Sequence, residues 1–171
     1  MNFPLRAAVL SAIVFATPVA AQARSMAANP FSFNIAAGAS IPTGDLGDFS
    51  DVGYNLTVGL GTHMVGSPLG FRAEGMYNEW GLTNTNLKAH TGAITANATY
   101  DLGTGSTTGN FYGIGGLGYY FSGNSANDFG WNIGGGFKFP LSGFDAYVEA
   151  RYHDVSNQDR SFVPIVFGLK F

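Results

Sequence analysis

Residues 162–171 read Phe-Val-Pro-Ile-Val-Phe-Gly-Leu-Lys-Phe. Val163, Ile165, Phe167, Leu169 and Phe171 share one phase of a period-two pattern, which puts every second side chain on the same face of a strand. The same alternation recurs upstream and sorts the charges. Along 144–153, Phe144, Ala146, Val148, Ala150 and Tyr152 occupy one phase, and Asp145, Tyr147, Glu149, Arg151 and His153 the other. Along 69–78, Leu69, Phe71, Ala73, Gly75 and Tyr77 alternate with Gly70, Arg72, Glu74, Met76 and Asn78. Lys138, Asp101 and Lys170 each stand between two apolar neighbours. No charge in these spans falls on the apolar phase. A Lys or Arg facing lipid at the bilayer midplane costs about 2–4 kcal/mol. Several such penalties would exceed the ~5–15 kcal/mol net stability of a domain. The pattern therefore describes a wall with hydrocarbon on one side and a polar interior on the other.

About eight such segments occur, near Phe31–Ile41, Val52–His63, Leu69–Asn78, Thr91–Leu102, Phe111–Phe121, Phe129–Phe139, Phe144–His153 and Phe162–Phe171. Clusters of Gly, Asn, Asp, Ser and Pro separate them. Each is close to the roughly 9–11 residues of a tilted transmembrane strand. Only 11% of the residues are charged, well under the roughly 25–35% of an ordinary soluble surface. That count argues against a soluble sandwich. Outside the N-terminus no stretch supplies the ~20 apolar residues of a spanning helix. A closed barrel is the other way to cross lipid with every backbone group satisfied. The expected fold is all-β: an eight-stranded antiparallel up-and-down transmembrane β-barrel preceded by a signal peptide.

Residues 1–23 carry the expected signal peptide and 24–171 the barrel domain. Arg6 gives the positive start, Ala7 to Ala16 the apolar core, and Pro18 breaks the helix before small residues suited to cleavage after Ala21 or Ala23. A buried N-terminal helix is the competing reading. No lipobox cysteine follows, so no lipoprotein anchor is expected. Removing Arg6 leaves seven basic residues against 11 acidic ones, about −4, which gives no reason to invoke nucleic acid. The lack of cysteine is compatible with export if a closed ladder does the cross-linking.

An eight-stranded barrel is just wide enough for side chains to fill. Inward charges there must pair, since breaking a buried pair costs ~3–5 kcal/mol. Arg72-x-Glu74 and Glu149-x-Arg151 have opposite order and are expected to interlock as an interior network with Lys138 and Lys170. Such a network is either a structural plug, which we favour, or a path for protons or ions. Glycines at 113, 115, 116, 118 and 134–136 suit strand bending and space for long inward side chains rather than a dinucleotide loop, because no helix follows. Two aromatic girdles are expected, one including Phe33, Phe71, Tyr100, Phe111, Tyr112, Phe139, Phe144 and Phe171. The other includes Tyr77, Trp80, Tyr119, Tyr120, Phe121, Trp131 and Tyr152. Counting from a periplasmic N-terminus turns 42–51, 79–90, 122–128 and 154–161 outward. Pro164 is expected near the outer rim, where pairing is loosest.

The stretches Ala36–Leu46, Tyr112–Tyr120, Glu149–His153 and Phe162–Phe171, in that order, resemble the small OmpA/OmpX-like outer-membrane β-barrel domain family. The resemblance spans nearly the whole mature chain. It implies a monomeric barrel in the outer membrane of a Gram-negative bacterium, in contact with bilayer and lipopolysaccharide. It also implies a C-terminal signal of Val163, Ile165, Phe167, Leu169 and Phe171, read by the barrel-assembly machinery. It implies no single activity. No peptidoglycan-binding domain follows, so anchoring to the cell wall is not expected.

The first functional reading is non-enzymatic, structural or surface-interacting through the outer loops. The second is a lipid A-modifying hydrolase that removes acyl chains, with His153 and Ser156 as base and nucleophile and Asp154 or Glu79 as orienter. In the deacylase barrels this resembles, the pair stands two residues apart on one face, whereas here the spacing is three and the faces oppose. The third is a conduit for small solutes. A metal site from His63, His90 and His153 is not expected, because they divide between the two ends, and no cofactor is implied.

Overall fold

The computed structural model describes residues 31–103, 109–122, 127–156 and 160–171; the signal peptide expected over 1–23 lies outside them. Eight strands follow one another: β1 Phe31–Thr43, β2 Gly53–His63, β3 Leu69–Gly81, β4 Lys88–Asp101, β5 Asn110–Ser122, β6 Asp128–Leu141, β7 Phe144–Val155 and β8 Arg160–Lys170. A short helix, α1 Asp45–Phe49, interrupts the first connection. Each strand pairs antiparallel with its neighbours in sequence, and β1 pairs with β8 from Asn34↔Lys170 to Thr43↔Ser161. The barrel is closed, so no sheet edge is left to face hydrocarbon.

The two phases separate as the alternation requires. Ile35, Val58, Ile94, Leu117, Ile133, Val148 and Phe167 are exposed on the outer wall. Asn55, Thr57, Asn97 and Asn132 are buried inside with the charged residues of β3 and β7. Against water this arrangement would be inside out. Against acyl chains it is the favourable one.

Several strands run past the predicted bounds. β3 and β4 continue their ladder to Gly81↔Lys88, so the outward segment 79–90 shrinks to a tip at 82–87. A second difference is α1. Gly44 enters at φ 58°, and Asp45 and Asp48 lie in the first turn, where the helix dipole favours acids. Five residues are too few to show a helical period, so the sequence reads as loop. Its docked residue, Leu46, packs against Met76, Trp80, Tyr120, Val155 and Phe162 inside the barrel mouth.

Pro164 falls in the outward half of β8, where pairing is loosened as expected, although inside the strand and not at its end. It lies within β8 opposite Ser40 of β1, and the β7–β8 ladder lapses beside it, between Ala150↔Ile165 and His153↔Phe162. A proline has no N–H to give to that ladder, so the interruption falls at the residue itself.

Small residues make room for the long ones. A Cβ on Gly168 would enter the Tyr147 ring, and one on Gly136 would meet Tyr112 Oη at 2.6 Å. One on Gly134 would meet Arg151 Cγ at 2.8 Å.

Replacing Ile94, exposed in the middle of β4, by Arg should cost about 2–4 kcal/mol in urea unfolding from lipid vesicles. An equal loss for Lys88→Ala at the strand end would contradict the membrane placement.

Candidate functional site

In the strand order, β3 and β7 lie four places apart in either direction, on opposite sides of the ring. Both ascend from the end that holds the termini. Arg72 and Glu149 therefore occupy the lower level, and Glu74 and Arg151 the upper one. Opposite sequence order on two parallel-running strands sets a cation across from an anion at each level.

The contacts close a square. Arg72 Nη2 lies 2.5 Å from Glu149 Oε2, and Arg151 Nη1 lies 2.6 Å from Glu74 Oε2. Along the strands, Arg72 Nε is 2.9 Å from Glu74 Oε1 and Arg151 Nε is 2.8 Å from Glu149 Oε1. The first of these is an ion pair without hydrogen-bond alignment, because neither atom has a geometrically aligned partner. All four side chains are buried. Two further donors complete the carboxylates: Tyr112 Oη donates to Glu149 at 2.6 Å, and Asn97 Nδ2 donates to Glu74 at 2.9 Å. Asn132 Nδ2 donates in turn to Asn97 Oδ1 at 2.9 Å. The Tyr147 ring lies 5.6 Å from the Arg72 guanidinium carbon. Two positive and two negative groups balance, which lets the cluster remain in a low-dielectric interior.

Lys138 and Lys170 do not join this network, contrary to expectation. Lys138 Nζ instead donates to Asp101 Oδ2 at 2.6 Å near the terminal end. Lys170 lies across the ladders from Asn34 and Asp145, at the same end. Both are on the inward phase, but the lysines sit too near the end of the barrel to reach its middle. Phase specifies the face of a strand, whereas height depends on register.

Above the square, an aromatic plug fills the mouth. Met76, Trp80, Ala93, Tyr120, Val155 and Phe162 are buried together. Trp80 Nε1 donates to the Ser40 carbonyl at 3.1 Å, and its ring meets Phe162 edge-on at 5.2 Å. Trp80, Tyr112 and Tyr120 thus belong to the interior and not to the girdles. All three lie on the inward phase of their strands, a signal that outweighs their nearness to strand ends. Tyr77, Tyr119, Phe121 and Trp131 do face outward.

The hydrolase candidates are not assembled. His153 is fully buried, with Tyr120 Oη 2.8 Å from Nδ1 and Phe162 stacked on it at 5.0 Å. Ser156 is exposed in the following turn, where its N–H donates to the Phe129 carbonyl. Neither proposed orienter hydrogen-bonds to His153 among the described residues. Asp154 accepts from Tyr152 Oη at 3.2 Å. Glu79 accepts from Lys88 at 2.5 Å and from Tyr77 at 2.9 Å. The Lys88 hydrogen bond, then that of Tyr77, holds the Glu79 carboxyl below its ordinary range, so this rim contact is lost only as pH falls through that lowered value. Among the described residues no group of His, Asp and Glu could hold a metal ion.

The C-terminal phase lies on the wall: Ile165, Phe167 and Phe171 are exposed, and Val163 and Leu169 half-buried. Phe171 N–H donates to the Phe33 carbonyl at 2.8 Å, with the reciprocal bond at 3.0 Å, so the closing ladder runs through the last residue.

A closed eight-stranded barrel with an apolar outer wall and a paired-charge interior defines an integral outer-membrane β-barrel protein. The family described as outer membrane protein beta-barrel domain matches residues 7–171, and this chain belongs to it. Among solved structures it is similar to Neisserial surface protein A, with a TM-score of 0.68 at 17% identity, covering 83% of this chain and 96% of that one. It is similar also to the outer membrane enzyme PagL (TM-score 0.55, 16% identity, 82% and 98% covered). A third is the attachment invasion locus protein Ail of Yersinia pestis (TM-score 0.52, 17% identity, 82% and 97% covered). At these identities the likeness is one of fold. No curated protein matches the chain in sequence.

Neutralising Glu149 alone, as Glu149→Gln, leaves both arginines under-compensated and should cost about 3–5 kcal/mol in denaturant unfolding. Adding Arg151→Met should recover part of that loss. Additive losses in the double variant would mean that the two do not act as a unit.

Proposed function

We propose that this chain is a non-enzymatic outer-membrane barrel, a rigid filled support whose loop-end rim contacts partners outside the cell. The observation that carries this reading is the filled interior. A charge-neutral square spans the barrel's diameter, and the aromatic plug, with Leu46 of α1 against it, closes the mouth above. A solute would have to break buried pairs to pass, which argues against a conduit. His153 is engaged by Tyr120 and Phe162 instead of by Ser156 or a candidate acid, which argues against an acyl hydrolase. The similarity to PagL does not revive that reading, because shared fold does not carry a shared site.

The rim available for contact comprises α1 and the tip at 82–87, which are tied together. Ser50 bridges Leu82, the Thr83 N–H donates to the Phe49 carbonyl at 2.9 Å, and Asp51 N–H donates to Gly81 at 2.9 Å. These bonds present one continuous surface rather than separate loops. Bilayer lipid and lipopolysaccharide are its immediate partners in this reading, the monomer is its working form, and the outward C-terminal phase serves recognition by the assembly machinery.

Lipid A incubated with the purified, folded protein should give an unchanged acyl pattern by mass spectrometry. Loss of an acyl chain, abolished by His153→Ala, would overturn the non-enzymatic reading. Liposomes containing the protein should show no swelling in small sugars above protein-free vesicles, and solute entry would overturn the filled-support reading.

A further inference from the structure

At the terminal end, opposite the aromatic plug, the interior is open. A cavity of about 230 Å³ has Arg72, Tyr112 and Tyr147 as its floor, with Asn34, Lys138 and Lys170 among its walls. The cations around it are not equivalent. Arg72 is matched by two glutamates and Lys138 by Asp101. Lys170 has no ion pair or hydrogen-bond partner among the described residues, although the strand ladders place it opposite both Asn34 and Asp145. Asn34 is 2% exposed, lines the same cavity, and its Nδ2 donor has no partner. A buried donor left unpaired costs ~1–3 kcal/mol, and here it sits directly across the ladder from an ammonium that closes no contact ion pair, Asp145 and Asp101 acting on it only at longer range.

Two donors, one charged, converge from β1 and β8 on one space. The complementary ligand is an acceptor with negative charge. Size narrows it further: the cavity is below the roughly 300–1,000 Å³ of pockets for drug-sized ligands but far above the ~30 Å³ share of one water. Gly61 and Gly70 keep the wall open, since a Cβ on Gly61 would meet Ser32 Oγ at 2.8 Å and one on Gly70 would meet Thr99 Oγ1 at 2.7 Å.

We propose that this terminal-end vestibule is a binding site for a small oxyanion, a carboxylate or phosphate, held by Lys170 Nζ and Asn34 Nδ2. The Lys138–Asp101 pair lines the same cavity and leaves Lys170 as its cation outside an ion pair among the described residues. The site faces the side away from the rim assigned to outside contact, and it does not depend on that assignment.

The test is a titration of the folded protein in zwitterionic nanodiscs with sodium phosphate, and separately with sodium acetate, against sodium chloride at matched ionic strength. The Asn34 side-chain amide and the Lys170 backbone amide are followed by NMR, the latter being present in every variant. Saturable shifts with phosphate or acetate, absent with chloride, are expected. Lys170→Met should weaken the affinity at least tenfold, Asn34→Asp should abolish it, and Lys170→Arg should retain it. Heat-dependent gel mobility checks that each variant is folded. Competition by added phosphatidylglycerol would assign the oxyanion to a lipid headgroup, and no competition would assign it to a free solute; the site stands in both cases. No saturable shift in the native protein, or equal affinity in folded Lys170→Met, overturns the proposal.

Discussion

Hydrocarbon cannot hydrogen-bond to a peptide group, and the whole architecture follows from that constraint. An unpaired N–H or C=O in the bilayer costs several kcal/mol, so a strand wall there must have no edge. Here β1 and β8 close the sheet over ten register pairs, and the ladder extends through Phe171 to Phe33. Closure in turn fixes the interior. Eight strands leave a tube that side chains must fill, and the inward phase of every strand is committed to filling it.

The filling is layered along the barrel axis. Aromatic and aliphatic groups occupy the loop end, a neutral square of two arginines and two glutamates the middle, and a polar vestibule the terminal end. Each layer has its own physical basis. The plug buries apolar surface that would otherwise face water at the mouth. The square exchanges hydration for mutual attraction in a low dielectric, which succeeds only because both carboxylates also receive neutral donors, Tyr112 and Asn97. The vestibule is the layer that sets an ammonium outside any ion pair beside an unpartnered amide donor.

Much of this was legible in residue order. The eight strands, their antiparallel succession and the face of each charged residue follow from period-two alternation, because a strand side chain has only two directions available. The complementarity of Arg72-x-Glu74 with Glu149-x-Arg151 was visible as reversed order on two like-directed strands. Height was less legible. Lys138 and Lys170 share the inward phase with the square but lie below it, and nearness to strand ends points Trp80, Tyr112 and Tyr120 to the girdles while their phase points inward. Helix α1 left no readable period, and Asn34 carried no signal beyond phase.

The sequence by itself determined which side of the wall each residue faces, because lipid penalises a misplaced charge more heavily than a domain can tolerate repeatedly. Tertiary structure decided which inward groups meet. Register and shear bring Arg72 to Glu149 across the barrel and pair Lys138 with Asp101. They enclose His153 between Tyr120 and Phe162, away from Ser156, and leave Lys170 beside Asn34 at an open end. Those meetings depend on distances between strands far apart in the chain, which alternation along any single strand cannot encode.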